Sequence, residues 1–169
     1  TGSPPASSGS TSLVRKFTYT IRSQVEDDID PKGIVTRLFY DDLGRTVKRI
    51  ENYDPTDPNP GPDSDQDRTT VYVYDAQGRL SEMTAALAGG TDPNYFDVST
   101  GYEYGVVRGS SSGDSRITSN DLLLRIKYPD PDTGVPSQGG EDQELFAYNA
   151  QGEVIWRRGQ LSPAPEELG

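Results

Sequence analysis

Apolar and polar residues alternate along most of this chain, in short runs closed every few positions by Asp, Asn, Gly or Pro. Arg37-Leu38-Phe39-Tyr40 leads into Asp41-Asp42-Leu43-Gly44, and Arg45-Thr46-Val47-Lys48-Arg49-Ile50 leads out. A period of two places alternate side chains on opposite faces of a strand, and the β-branched and aromatic content suits that assignment. The turns carry their own chemistry. Tyr74-Asp75-Ala76-Gln77-Gly78-Arg79-Leu80 and Tyr148-Asn149-Ala150-Gln151-Gly152-Glu153-Val154 repeat the layout of residues 40–46. In each, an Asx side chain hydrogen-bonds the backbone just ahead, and Gly44, Gly78 or Gly152 supplies the positive φ of a short hairpin loop. Helical periodicity is not sustained anywhere. Its best stretch, Arg79 to Ala88, runs straight into Gly89-Gly90. The pattern predicts an all-β fold of consecutive antiparallel hairpins with long Gly/Pro/Asp loops.

A phrase recurs within this pattern: an apolar residue, a spacer and a tyrosine. Its copies end at Tyr19, Tyr40, Tyr74, Tyr104, Tyr128 and Tyr148, at spacings of 21, 34, 30, 24 and 20 residues. Repeats of this size bury their apolar faces by stacking on neighbours. Each tyrosine shares a strand face with the residue two before it, so that face is expected to be buried. The tyrosines are expected to form a ladder of six, each packing on the next unit with its hydroxyl reaching backbone or solvent.

Tyr-Asp followed by Gly-Arg, as in residues 40–45 and 74–79, together with Asp30-Pro31-Lys32-Gly33 leading to Phe39-Tyr40-Asp41, resembles the Rhs or YD repeat. This repeat occurs in bacterial Rhs toxins, shell subunits of insecticidal toxin complexes, teneurins and long bacterial surface proteins. The resemblance covers roughly residues 14–158, and its longer-loop copies run from Tyr102-Glu103-Tyr104-Gly105 to Tyr128-Pro129-Asp130. Tyr104-Gly105, Tyr128-Pro129 and Glu153 depart from the pattern. The resemblance implies a wide sheet of hairpins that spirals into a hollow shell or tube, on a bacterial cell surface or outside the cell. Six units are expected to be too few to close such a shell. Both end strands then remain edges open to a neighbouring copy or to adjoining YD repeats.

Composition narrows the functional classes. Of 169 residues only 31% are hydrophobic, and 18 Gly and 13 Pro leave a thin core with abundant loops. Mean hydropathy is −0.73. The absence of Cys and His removes disulfides, Cys/His zinc sites and histidine-based nucleophile systems. A net charge of −11 disfavours nucleic-acid backbone as a partner. No apolar run approaches the roughly 18 residues of a membrane span. Residues 1–12 read as a Ser/Pro/Gly-rich linker, 13–159 as a six-unit repeat module and 160–169 as a Pro-rich linker. The chain is expected to be the interior of a longer polypeptide or a processed protomer.

Candidate chemistry is sparse. Asp63, Asp65 and Asp67 place alternate carboxylates in the Pro-rich segment 52–68, a spacing suited to calcium, but Arg68 and Tyr74 stand where an EF-hand needs Gly and Glu. Neighbouring acids such as Asp27-Asp28 point to opposite strand faces and form no glycosidase pair. No catalytic residue and no cofactor are assigned, and calcium is the one ion considered. Trp156 is expected to pack on a neighbouring repeat. The expected function is a non-enzymatic structural scaffold, forming a shell or head-to-tail filament through strand pairing. The alternatives are a glycan- or partner-binding surface and the encapsulating shell of an Rhs-type toxin.

Overall fold

The computed structural model describes residues 13–56, 65–86, 97–109, 115–139 and 142–160. Ten strands follow one another: β1 (Lys16–Tyr19), β2 (Val25–Ile29), β3 (Val35–Tyr40), β4 (Thr46–Glu51), β5 (Arg68–Tyr74), β6 (Leu80–Ala86), β7 (Val98–Val106), β8 (Ser119–Lys127), β9 (Gln143–Tyr148) and β10 (Val154–Gln160). They form one antiparallel sheet whose spatial order is the chain order, so it is a meander that does not close. No described residue is helical, and no helix is long and apolar enough to cross a membrane.

The all-β expectation of consecutive hairpins therefore holds at the level of architecture. The hairpins number five, β1–β2 to β9–β10, and their turns lie along one rim of the sheet. Tyr19, Tyr40, Tyr74, Tyr104 and Tyr148 lie at or near the rim ends of β1, β3, β5, β7 and β9. Tyr128 does not: it follows β8, at the opposite end. The expected ladder of six is a row of five. Tyr128 has the right sequence phrase but stands on a strand running the other way.

Register shows which residues share a face. Leu38 opposes Arg49, Arg49 opposes Thr70, Tyr72 opposes Met83, and Tyr102 opposes Ile126. This face carries the residues two before each rim tyrosine. The other carries Arg37, Ile50 and Val71. Strands contact chiefly their sequence neighbours, and among the described residues no second layer of strands covers either face. The tyrosine face is consequently not buried throughout. Tyr148 is 5% exposed, Tyr40, Tyr74 and Tyr104 are half-buried, and Tyr19 and Tyr128 are 59% and 42% exposed.

The core forms where a connection folds back. Val106, Phe146 and Tyr148 pack with Ile117, Leu122, Leu123, Leu124 and Ile126. The end of the β7–β8 connection closes over them: Arg116 N donates to Tyr148 O at 2.7 Å, and Tyr148 N donates to Ser115 Oγ at 3.3 Å. At the opposite end the β8–β9 connection returns to β7, where Ser99 N donates to Gly134 O at 2.7 Å. There a Cβ on Gly101 would lie 3.1 Å from Pro136 Cβ, so only glycine fits without movement.

Candidate functional site: the hairpin rim

The turns are built from local hydrogen bonds. In residues 41–45, Asp41 N donates to Arg45 O and Gly44 N to Asp41 O, each at 3.0 Å, with Gly44 at φ 82°. Asp41 Oδ1 accepts from Leu43 N at 3.0 Å and Arg45 N at 2.9 Å, while Oδ2 accepts from Arg45 Nε at 2.7 Å. Residues 75–79 repeat this bond for bond: Asp75 Oδ1 accepts from Gln77 N and Arg79 N, Oδ2 from Arg79 Nε, and Gly78 has φ 84°. Desolvation raises the pKa of both aspartates, but the hydrogen bonds and the positive charge of Arg45 or Arg79 outweigh it and hold each carboxyl below its ordinary range.

The third Asx turn inverts the polarity. Asn149 Oδ1 accepts from Gln151 N and Glu153 N, each at 2.9 Å, while Asn149 Nδ2 donates to Glu153 Oε2 at 2.7 Å. Glu in place of Arg is matched by Asn in place of Asp, and the turn geometry survives with Gly152 at φ 82°. Two more copies close without a charged residue at the last position. Thr20 N bonds Gln24 O with Ser23 at φ 61°, and Asp30 N bonds Ile34 O at the opposite end of the sheet. The Thr20 copy escapes sequence reading because Thr and Ser stand where Asp and Gly stand elsewhere.

Successive turns are joined by the residue after the glycine position. Arg45, held by Asp41, lies with its guanidinium 4.4 Å from the centre of the Tyr74 ring on the next hairpin, and Arg79 lies 4.5 Å from that of Tyr104. Each is a cation–π contact whose cation is fixed by its own turn's carboxylate. Tyr74 Oη in turn donates to Thr46 O at 2.7 Å, back on the preceding hairpin. Tyr40 Oη donates to Val25 O at 2.8 Å and Tyr148 Oη to Leu123 O at 2.7 Å. Gln24 occupies the arginine position of the first turn, and its Nε2 donates to Gly44 O at 3.1 Å. Arg79 also donates to Asn120 O, which couples the third hairpin to the fourth. Two of the five rim tyrosines, Tyr74 and Tyr104, thus stack under arginines. Burial raises the pKa of Tyr148, and also of Tyr104, where Arg79 opposes the shift.

A second node lies on the other face. Asp27 accepts from Arg37 Nε at 2.7 Å and Nη2 at 2.8 Å, the guanidinium sits 4.2 Å from the Tyr53 ring centre, and Arg37 Nη1 lies 3.0 Å from Tyr53 Oη. The hydrogen bonds from Arg37 lower the Asp27 pKa against the opposing effect of burial. Asp27 and Arg37 are direct cross-strand partners. Sequence reading passed over this node because Tyr53 stands outside the repeated slot.

Of the calcium candidates, Asp63 lies outside the described residues. Asp67, at φ 53°, accepts from Asp54 N at 2.9 Å, and Asp65 Oδ1 lies 3.4 Å from Arg68 Nε. Asp67 is thereby turned toward the chain, while the Asp65 side chain is 80% exposed. Among the described residues no group of three or more acidic side chains is arranged to hold a metal ion. Trp156 is half-buried on β10, opposite Ala147.

No family model and no curated protein matches the chain.

Proposed function

We propose that this chain is a non-enzymatic scaffold module of the YD-repeat type. In this reading it belongs to an extracellular bacterial protein and extends a sheet into a shell or a head-to-tail filament by continuous strand pairing. The observation that carries the reading is the recurrent coupling along the rim. Asp41 fixes Arg45 within its turn, Arg45 stacks on Tyr74, and the Tyr74 hydroxyl returns to the preceding hairpin; Asp75, Arg79 and Tyr104 repeat the first two links, and the hydroxyls of Tyr40 and Tyr148 repeat the last. Such coupling joins each unit to its neighbours and propagates in one dimension, which suits a load-bearing repeat. The open meander supports the same reading, since among the described residues β1 and β10 each pair on one side only.

In this role the partners are neighbouring copies or adjoining repeats, and no cofactor takes part. Electron microscopy with sedimentation velocity on the purified chain tests it. Regular filaments or curved sheets that grow with concentration are the expected result. A strictly monomeric chain at the highest attainable concentration, together with ligand capture on a glycan array, would overturn it in favour of a binding surface.

A further inference from the structure

The four junctions between hairpins share one register. The rim tyrosine of the incoming hairpin is the reference. Three residues before it, Arg37 opposes Asp27, Val71 opposes Lys48, Gly101 opposes Glu82 and Leu145 opposes Arg125. On the outgoing side the first three partners lie three residues after Gln24, Arg45 and Arg79, the residues that close the turns. In the fourth junction Leu122 takes that position, and its Cδ1 lies 4.0 Å from where a Cβ on Gly152 would stand. A meander held by this rule has one continuation. The last turn closes at Glu153, which points to Trp156; the first tyrosine is Tyr19, which points to Lys16.

We propose that β10 of one copy pairs antiparallel with β1 of a second copy, with Trp156 opposite Lys16, Arg157 opposite Arg15 and Ile155 opposite Phe17. This rests on the scaffold reading above and adds the partner and the register. The side chains at the joint fit the assignment. Phe17 is 46% exposed and Ile155 44% exposed, large apolar groups on the two strands that, among the described residues, pair on one side only. Counting toward the rim in the same way at the β8–β9 junction sets Leu124 against Phe146, and those two belong to the core. Ile155, at the register shift between Val154 and Trp156, and Phe17 take the corresponding places at the joint. Lys16 meets an indole, the best aromatic acceptor for a cation. Arg157 against Arg15 places like charges together, which opposes pairing, but each brings a carboxylate: Asp28 bonds Arg15, and Glu144 Oε1 lies 3.7 Å from Arg157.

The chain has no cysteine, so disulfide trapping reads the joint directly. The full chain carrying Arg15→Cys and Arg157→Cys is expected, on oxidation, to give a ladder of covalent multimers. The pair Leu13→Cys and Ile155→Cys lies four positions out of register, roughly 13 Å apart, and is expected to give none. All four side chains are exposed, so the substitutions leave the sheet's interior contacts in place. Sedimentation velocity on the unmodified chain separates the two claims. Self-association with a ladder only from the second pair, or with dimers from single-cysteine chains alone, overturns the register and leaves the scaffold reading standing. A chain that neither self-associates nor cross-links overturns both.

Discussion

Tyr74 shows how much one side chain does in this sheet. Its ring accepts the Arg45 guanidinium and its hydroxyl reaches Thr46 O. Tyr74→Phe should cost about 0.5–1.5 kcal/mol, the worth of one hydrogen bond, and Tyr74→Ala about 2–4 kcal/mol, measured by chemical denaturation. A silent Tyr74→Ala would mean that the rim contributes nothing to cohesion. Gly101 tests packing at the opposite end. Gly101→Ala forces a Cβ to 3.1 Å from Pro136 and should destabilise by about 1–3 kcal/mol. The aspartates set the acid limit. Asp27, Asp41 and Asp75 have folded pKa values below the ordinary carboxyl value of about 3.9. The unfolded chain therefore takes up protons first as pH falls. The stabilisation is present above that value and is lost as pH drops through the lower folded values. Thermal melts should be nearly flat from neutrality to about pH 5 and fall steeply below about pH 4. Asp75→Asn should make the acid slope shallower. An unchanged slope would remove Asp75 as a contributor.

At the scale of the element, the five-residue turn is the unit, and in the copies that end in a charged residue the first and last positions change as a matched pair. Asn149 with Glu153 replaces Asp with Arg because an amide donates where a carboxylate accepts. Asn149→Asp sets two carboxylates against each other and should cost about 0.5 kcal/mol, and adding Glu153→Arg should restore stability to about the original level. A double-mutant cycle measures this, and an additive result would show that the two residues do not interact. These turns were legible in the sequence because every bond that defines them spans four residues or fewer. Asp41, Gly44 and Arg45 announce them by identity and spacing alone. The copy at Thr20 was not legible, because Ser23 adopts a positive φ that its identity does not advertise.

At the scale of the whole molecule, the described residues form one sheet without a second layer of strands, and that shapes its stability. Few of the described residues are buried, so cohesion rests on strand pairing, rim contacts and the cluster around Phe146. Amide hydrogen exchange should show strongest protection in β8 and β9, under the β7–β8 connection, and weakest in β1, where Phe17 and Tyr19 are exposed. Uniform protection across the sheet would mean that the cluster is no more stable than the edges.

The sequence by itself determined the elements: alternation makes the strands, Asx and Gly make the turns, and short connections make the strands antiparallel neighbours. Those signals are local, and local geometry suffices to express them. The tertiary structure alone decided what depends on partners distant in the chain. Tyr128 carries the repeat phrase yet lies at the far end, because strand direction, not phrase, decides the rim. Arg45 could be read as a turn residue, but its aromatic partner, Tyr74, stands 29 positions on and becomes visible only once β4 and β5 are paired. Asp27, Arg37 and Tyr53 meet for the same reason. Burial of the tyrosine face was expected throughout and, among the described residues, is achieved only in the cluster around Phe146 and Tyr148, since a strand pattern states which face is apolar but not what will come to cover it.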